Sequence, residues 1–245
     1  MIHARAAIHP SHAISCNLMQ SHGAIFDLDG TLVDSCDAHE RAWKSLGESV
    51  GIPVSHDFFM RFFGRQNTPI IQALFAEGGC AAPDSQTIAA LAIRKEDSFR
   101  ALIAHDFPIM PGTLPLLAAL RGSSWRLAIG SSAPQVNVDF MLGALARAAS
   151  TTTPFDAIVT GNCVERGKPH PDVFLEAARR LNLPATACVV IEDAAPGIEA
   201  AHRAGMKCVA LCSAGHTTTE LAAADLLIHH LDELTPSRLQ SLITP

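Results

Sequence analysis

The chain has 245 residues, 48% of them apolar, and a formal net charge of -6. That suits one large domain, or a core domain with a smaller insert, and it is enough to bury a sizeable core. The acidic balance, without a long basic run, argues against nucleic acid or an anionic membrane surface as partner, and no apolar run approaches the length that spans a bilayer. Seven cysteines, odd in number and without a CxxC pair, fit reduced thiols in a cytoplasmic protein better than a disulfide framework. Zinc-ligand spacing is absent, and each cysteine is expected as a small buried apolar side chain.

Residues 1–22 carry one Arg, four His and no acid. They lack the apolar stretch of a signal peptide. The segment is expected to be a disordered tail, with a targeting peptide or a start at Met19 as the other readings. From Gly23 the pattern sharpens. Gly23 to Phe26 is a short apolar run and reads as a buried strand. Further strands are expected at Trp125 to Ile129, Ala157 to Val159, Cys188 to Ile191 and Cys208 to Leu211. Helices are expected between them, at Leu114 to Leu120, Pro134 to Leu145, Pro171 to Leu181 and Pro196 to Ala204. Strands alternating with helices imply an α/β fold with a parallel sheet covered on both faces. The interval from Asp34 to Met110 breaks the alternation, with helical patterns at Cys36 to Val50, Asn67 to Glu77 and Asp84 to Ala104. It reads as an inserted helical cap domain (35–109) on a core made of 23–34 and 110–245. An insert after the first strand leaves and rejoins beside the carboxyl ends of the strands, where open parallel sheets bind ligands, and could close over a substrate.

The segment Asp27-Leu28-Asp29-Gly30-Thr31 is the most informative. Two carboxylates sit two residues apart at the end of a buried strand, so they point to the same side. Anions that close repel, and one must take a proton or both must share a cation. An apolar strand has no folding reason to place the pair there. Gly30 permits a sharp turn that would expose backbone N–H groups.

Asp27-x-Asp29-Gly30-Thr31 resembles the first motif of the haloacid dehalogenase superfamily of phosphohydrolases. Ile129-Gly130-Ser131-Ser132 resembles the second motif. Gly167-Lys168-Pro169 supplies the lysine of the third, and Ile191-Glu192-Asp193 resembles the acidic fourth. Four motifs in order, each just after a strand or opening a helix, cover the chain from about Gly23 to the last strand. The resemblance implies a Rossmann-like core and phosphoryl transfer through an aspartyl-phosphate on Asp27. Asp29 would be the acid/base, its pKa raised by the crowded anionic site. Ser131 would hydrogen-bond a phosphoryl oxygen, with Ser132 a further substrate contact, and Lys168 would place positive charge on the phosphoryl group. The cofactor implied is Mg2+, held by Asp193, Asp27 and the backbone carbonyl of Asp29, with Glu192 as ligand or support.

For the cap, the run from Asp34 to Lys44 resembles the cap entry of the beta-phosphoglucomutase and sugar-phosphate phosphatase subfamily. His39 and Trp43, four apart, share a helix face; His39 is expected near Asp29 and the leaving group, and Trp43 in cap packing. Phe63-Gly64-Arg65-Gln66-Asn67 resembles that subfamily's specificity loop, which makes Arg65 and Asn67 candidate substrate contacts. Asn67 stands where the mutase has an arginine for a second phosphate, and Ala133-Pro134 where it has a serine and a lysine. The reading is therefore a phosphatase of a small phosphorylated sugar or polyol, monomeric or a small homo-oligomer. A beta-phosphoglucomutase-type isomerase and a non-catalytic metabolite-binding protein are the alternatives. A phosphonate-cleaving enzyme would need a Schiff-base lysine, which the Gly64 loop lacks. The remaining histidines, His229 and His230 among them, are expected at the surface.

Overall fold

A computed structural model describes residues 22–150, 154–213 and 216–243. The expected tail, apart from His22, lies outside the described residues, and so does Cys16. Six strands run in chain order: β1 Gly23–Phe26, β2 Arg126–Gly130, β3 Ala157–Val159, β4 Cys188–Glu192, β5 Lys207–Leu211 and β6 Leu226–Ile228. They form one sheet in the order β3-β2-β1-β4-β5-β6, with every pairing parallel. Order reverses between β1 and β4, and their carboxyl ends open the crevice where such sheets bind ligands.

The strands are apolar on both faces because both faces are covered. Ala24 and Phe26 of β1, Val189 and Ile191 of β4, and Val209 and Leu211 of β5 enter one cluster. The alternate residues Ile25, Val190, Cys208 and Ala210 enter the other. That two-residue alternation is the strand's own period. The first face is covered by α5 (Thr113–Gly122), α6 (Gln135–Ala148) and α9 (Pro236–Ile243), the second by α7 (Asp172–Leu181) and α8 (Ala195–Arg203). Each expected strand and helix of the core is present within a few residues of its expected bounds. β6 and α9 were not anticipated. β6, like β3, is three residues at a sheet edge.

Between β1 and α5 lie four helices and, among the described residues, no strand: α1 Cys36–Val50, α2 His56–Phe62, α3 Asn67–Glu77 and α4 Ser85–Ile103. The chain leaves and returns at one place, where Asp34 N–H donates to the Pro108 carbonyl (2.8 Å) and Met110 N–H to that of Leu32 (3.0 Å). The unanticipated α2 carries four large apolar residues in seven, a strand-like composition. Its start is fixed by Ser55, whose hydroxyl accepts from Phe58 N–H, the usual N-cap arrangement. Trp43, Leu46, Phe58, Phe59, Ile71 and Leu74 give this layer a cluster of its own, joined by Ala194 of the core. Other residues of α1 and α4 (Ala38, Ala42, Phe99, Ile103) belong to the first sheet cluster instead.

The cysteines depart from expectation. Cys36, Cys188 and Cys208 are buried, but Cys80 and Cys163 are exposed and Cys212 is half-buried. Cys80 follows the end of α3, and Cys163 closes a single 3-10 turn, Gly161–Cys163. Phe174 is fully buried and lies so close to β2 that a Cβ on Gly130 would come within 2.9 Å of its ring. We expect Phe174→Ala to destabilise the protein by about 3–5 kcal/mol, read as a lowered midpoint in urea unfolding.

Candidate active site

β1 ends at Phe26, and Asp27 continues its pairing, its N–H donating to the Ile191 carbonyl of β4 at 2.9 Å. The chain then turns sharply. Gly30 has φ +79, and a Cβ there would lie 2.0 Å from Oδ2 of Asp193. Only glycine lets the turn after β1 approach the residue after β4 this closely. Thr31 Oγ1 donates to Asp193 Oδ1 at 3.2 Å. The Gly30 N–H is not free for a ligand as expected: it donates to the Val33 carbonyl at 2.7 Å and closes the turn.

Lys168, from the loop after β3, reaches under this turn. It is 4% exposed. Its ammonium donates to Asp27 Oδ1 at 2.5 Å and Glu192 Oε1 at 2.7 Å, above the ring of Phe174 at 4.9 Å. Oε2 of Glu192 accepts the N–H groups of Asp193 and Ala194, at 2.7 and 2.8 Å. Two buried carboxylates thus share one ammonium, and a third, that of Asp193, lies within reach of its charge. Burial pushes the Asp27 carboxyl up to about 7 against the pull of Lys168, with Glu192 adding to the rise. Burial, then the charges of Glu192 and Asp27, push Asp193 well up. Burial works to lower Lys168, but Asp27 and Glu192 outweigh it and hold its pKa above the ordinary lysine value.

This excess of negative charge fits a cation, and Oδ2 of Asp193 is buried without a partner. Among the described residues no three His, Cys, Asp or Glu side chains converge as ligands. A metal would therefore take two carboxylates, Asp27 and Asp193, with backbone and water oxygens for the rest, a set that suits magnesium. Glu192 has both oxygens engaged, by Lys168 and by two backbone N–H groups. Its expected place as a ligand has no support in this geometry, and its position suits holding Lys168.

Asp29 faces the inserted helices. Its Oδ1 accepts from Ser35 Oγ at 2.7 Å and lies 2.9 Å from His39 Nε2. Lys95 Nζ is 2.7 Å from His39 Nδ1. An ammonium has donors only, so Nδ1 accepts and Nε2–H donates to Asp29. The imidazole stacks on Phe99 with ring centroids 3.8 Å apart. Asp29 does not have the raised pKa expected of it. Burial acts upward, but His39, Ser35 and Lys95 outweigh it and hold the carboxyl below its ordinary value. Lys95 is itself lowered by burial, with Glu96 opposing.

The space between the two layers is lined by Asp27, Asp29, His39, Ser131, Ser132, Arg65 and Asn67, together with Lys95, Glu96 and an aromatic wall that includes Trp43 and Phe63. The expected site residues do come together, except that Lys168, Glu192 and Asp193 form its floor beneath Asp27. Ser131 is buried and its Oγ accepts from Ala133 N–H. Buried polar atoms without a partner are Ser132 Oγ and Arg65 Nε. Asn67 is less available than expected, because its amide donates to Glu96 Oε1 at 2.7 Å. The cavity is small, about 50 Å³, room for a few waters.

Three residues were missed in the sequence. Lys95 and Glu96 sit inside a long amphipathic helix with no local signal. A lysine does therefore reach the pocket, from α4 and held by Glu96 and His39. His216 was expected at the surface, but its side chain is 6% exposed and packs on Phe63 of the inserted layer. His229 and His230 are exposed as expected.

Comparison with known proteins decides the family. Residues 24–211 match the family model described as haloacid dehalogenase-like hydrolase. The chain belongs to this family. It is 31% identical to the chloroplastic 5-amino-6-(5-phospho-D-ribitylamino)uracil phosphatase of Arabidopsis thaliana, over 90% of this chain and 57% of the relative. It is 30% identical to hexitol phosphatase A of Escherichia coli (strain K12), over 90% and 96%. The chain thus spans just over half of the first of these, and of a still longer Arabidopsis thaliana relative it spans 17%. In fold it is similar to the crystal structure of beta-phosphoglucomutase from Clostridium difficile, with TM-score 0.80, 24% identity and 91% and 97% of the two chains covered.

Removing the shared ammonium has a definite consequence. Lys168→Met should cost about 3–5 kcal/mol at neutral pH, because it leaves buried carboxylates unpaired. Their pKa values in the folded variant lie above the unfolded ones, so the folded state binds more protons and its stability recovers as pH falls. Urea unfolding of both proteins across pH should show the deficit narrowing toward acid.

Proposed function

We propose that the protein is a magnesium-dependent phosphoric monoester hydrolase that acts on a small phosphorylated sugar or polyol through an aspartyl-phosphate on Asp27. The observation that carries this reading is the contrast between two carboxylates two residues apart. Asp27 is gripped by a buried lysine beside an unfilled carboxylate oxygen, whereas Asp29 is turned to a histidine of the opposite layer. Two like groups in opposed settings suit two different roles.

In this reading the Asp27 carboxylate attacks phosphorus in line with the leaving oxygen. Asp29 gives that oxygen a proton, then takes one from the water that attacks the aspartyl-phosphate. The depressed pKa of Asp29 suits the second, basic half. The incoming phosphate dianion, a like charge, raises it for the first half. Lys168 neutralises charge on Asp27 and on the phosphoryl oxygens, and Ser131 hydrogen-bonds one of them. A bound magnesium ion, held by Asp27, Asp193 and the Asp29 carbonyl, would supply further positive charge at the same oxygens. The closed layers exclude water while Asp29 acts.

The substrate class is supported by the named relatives, among them a hexitol phosphatase and a phosphatase of a phosphoribityl compound. The pocket offers Arg65 and Ser132 for the hydroxyls of the leaving group. A mutase needs a grip on a second phosphate, and this pocket is poor in cations for one. Asn67 is occupied by Glu96, a carboxylate that repels phosphate, and Ala133-Pro134 lack donor side chains. Of the described pocket cations, Arg65 is the one in no ion pair. The free cysteines fit a reducing compartment such as the cytoplasm. No described helix is long and apolar enough to cross a membrane.

Phosphate release from a panel of sugar, polyol and nucleotide phosphates tests the reading. We expect turnover of a few sugar or polyol phosphates, abolished by EDTA and by Asp27→Asn, and lowered about 10²–10⁴-fold by Asp29→Asn. No release from any compound, with isomerisation of beta-glucose 1-phosphate instead, would replace the phosphatase by the mutase.

A further inference from the structure

Glu96 is a buried carboxylate that the phosphoryl-transfer steps do not use. Its Oε1 accepts from Lys95 Nζ at 3.0 Å and from Asn67 Nδ2 at 2.7 Å. Its Oε2 accepts from Asn137 Nδ2 at 2.5 Å. Asn137 belongs to the core helix α6 and is fully buried, and its Oδ1 accepts from Arg100 Nη1 of α4 at 2.5 Å. Both ends of one core amide are thus satisfied by the inserted layer. A separation of the layers would break both bonds.

The same contact continues to the reacting centre. Glu96 holds Lys95, Lys95 donates to His39, and His39 donates to Asp29. Lys95 and Glu96 are 2% and 5% exposed. In such surroundings a bond left unmade costs more than in water, so the chain favours being complete over being partly formed. It runs from core helix α6, through α4 and α1 of the inserted layer, back to the core at Asp29.

We propose that Asn137 is a positioning residue: paired with Glu96 it latches the helical layer to the core and, through Lys95 and His39, fixes Asp29 only when the layers are closed. The inference rests on the acid/base role proposed for Asp29. Asn137 does not itself line the pocket, so its effect on the leaving group's proton runs through Glu96, Lys95 and His39 to Asp29. An alkyl phosphate needs a proton on its leaving oxygen, whereas nitrophenyl phosphate leaves without one. Loss of the latch therefore separates the two substrates.

The test uses the full chain with magnesium, and follows single-turnover phosphoryl transfer from a sugar phosphate and from p-nitrophenyl phosphate. Asn137→Leu removes both hydrogen bonds at similar volume. Asn137→Ser, which leaves room for a water beside Glu96, is the second variant should the first not fold. For the folded variants we expect the sugar phosphate rate to fall about 10-fold or more, part of a general acid's full contribution, while the nitrophenyl phosphate rate stays within about 3-fold. Amide exchange in α4 should quicken at the same time. Equal losses on both substrates, or no loss on either, overturn the latch. Asp29→Asn run alongside keeps the two readings apart. A split there but not in the Asn137 variants sinks the latch alone, and no split in Asp29→Asn sinks the acid/base role beneath it.

Discussion

The buried ammonium of Lys168 lies between Asp27 and Glu192, with Asp193 close enough to feel both carboxylates. Three acids and one base in a space closed to water make an electrostatic debt that the fold alone does not settle. It dictates much around it. Glu192 must be fixed by two backbone N–H groups, and Gly197 must lack a side chain, because a Cβ there would lie 1.8 Å from Glu192 Oε1. Gly30 must be bare for the same reason beside Asp193. The parallel sheet makes the crowding possible, since it ends four strands side by side and lets their loops meet over the reversal in strand order.

The inserted helices solve a second problem. Their own apolar cluster and the sheet cluster both include residues from α1 and α4. The polar chain of His39, Lys95 and Glu96 lies on these same two helices. The rings of Trp43 and Phe99 each lie 5.3 Å from the Lys95 ammonium. Layer packing and the orientation of Asp29 are thereby coupled, since the helices that cover the sheet also carry the histidine that holds Asp29.

Much of this was legible in the sequence. The core strands are apolar on both faces, and the acid pair at the end of β1 has no folding rationale, so the fold, and the acids that meet at the carboxyl ends of the strands, could be read by residue number. What escaped did so for physical reasons. α2 is seven residues, about two turns, and hardly samples a helical period, and β6 is no shorter than β3, which was anticipated, so its length does not account for the miss. Lys95 and Glu96 look like any charged pair on an amphipathic helix, and only tertiary packing turns them inward. The pKa of Asp29 went the other way from the expectation because the expectation weighed its near neighbour Asp27, whereas its partners Ser35, His39 and Lys95 come from the inserted layer. Glu192 and Asp193 are adjacent acids in sequence, and their division into a lysine holder and a free oxygen depends on backbone N–H groups that sequence does not show.

The central claim is a covalent phosphoryl group on Asp27, and rapid quench of Asp29→Asn with p-nitrophenyl phosphate and magnesium tests it most directly. The leaving group needs no proton, so the first step proceeds, while the second stalls for want of a base. The account predicts a burst of about one nitrophenolate per chain, with a phosphoryl mass on the peptide that contains Asp27. Linear product formation without a burst, or a phosphoryl group on any other residue, would contradict it.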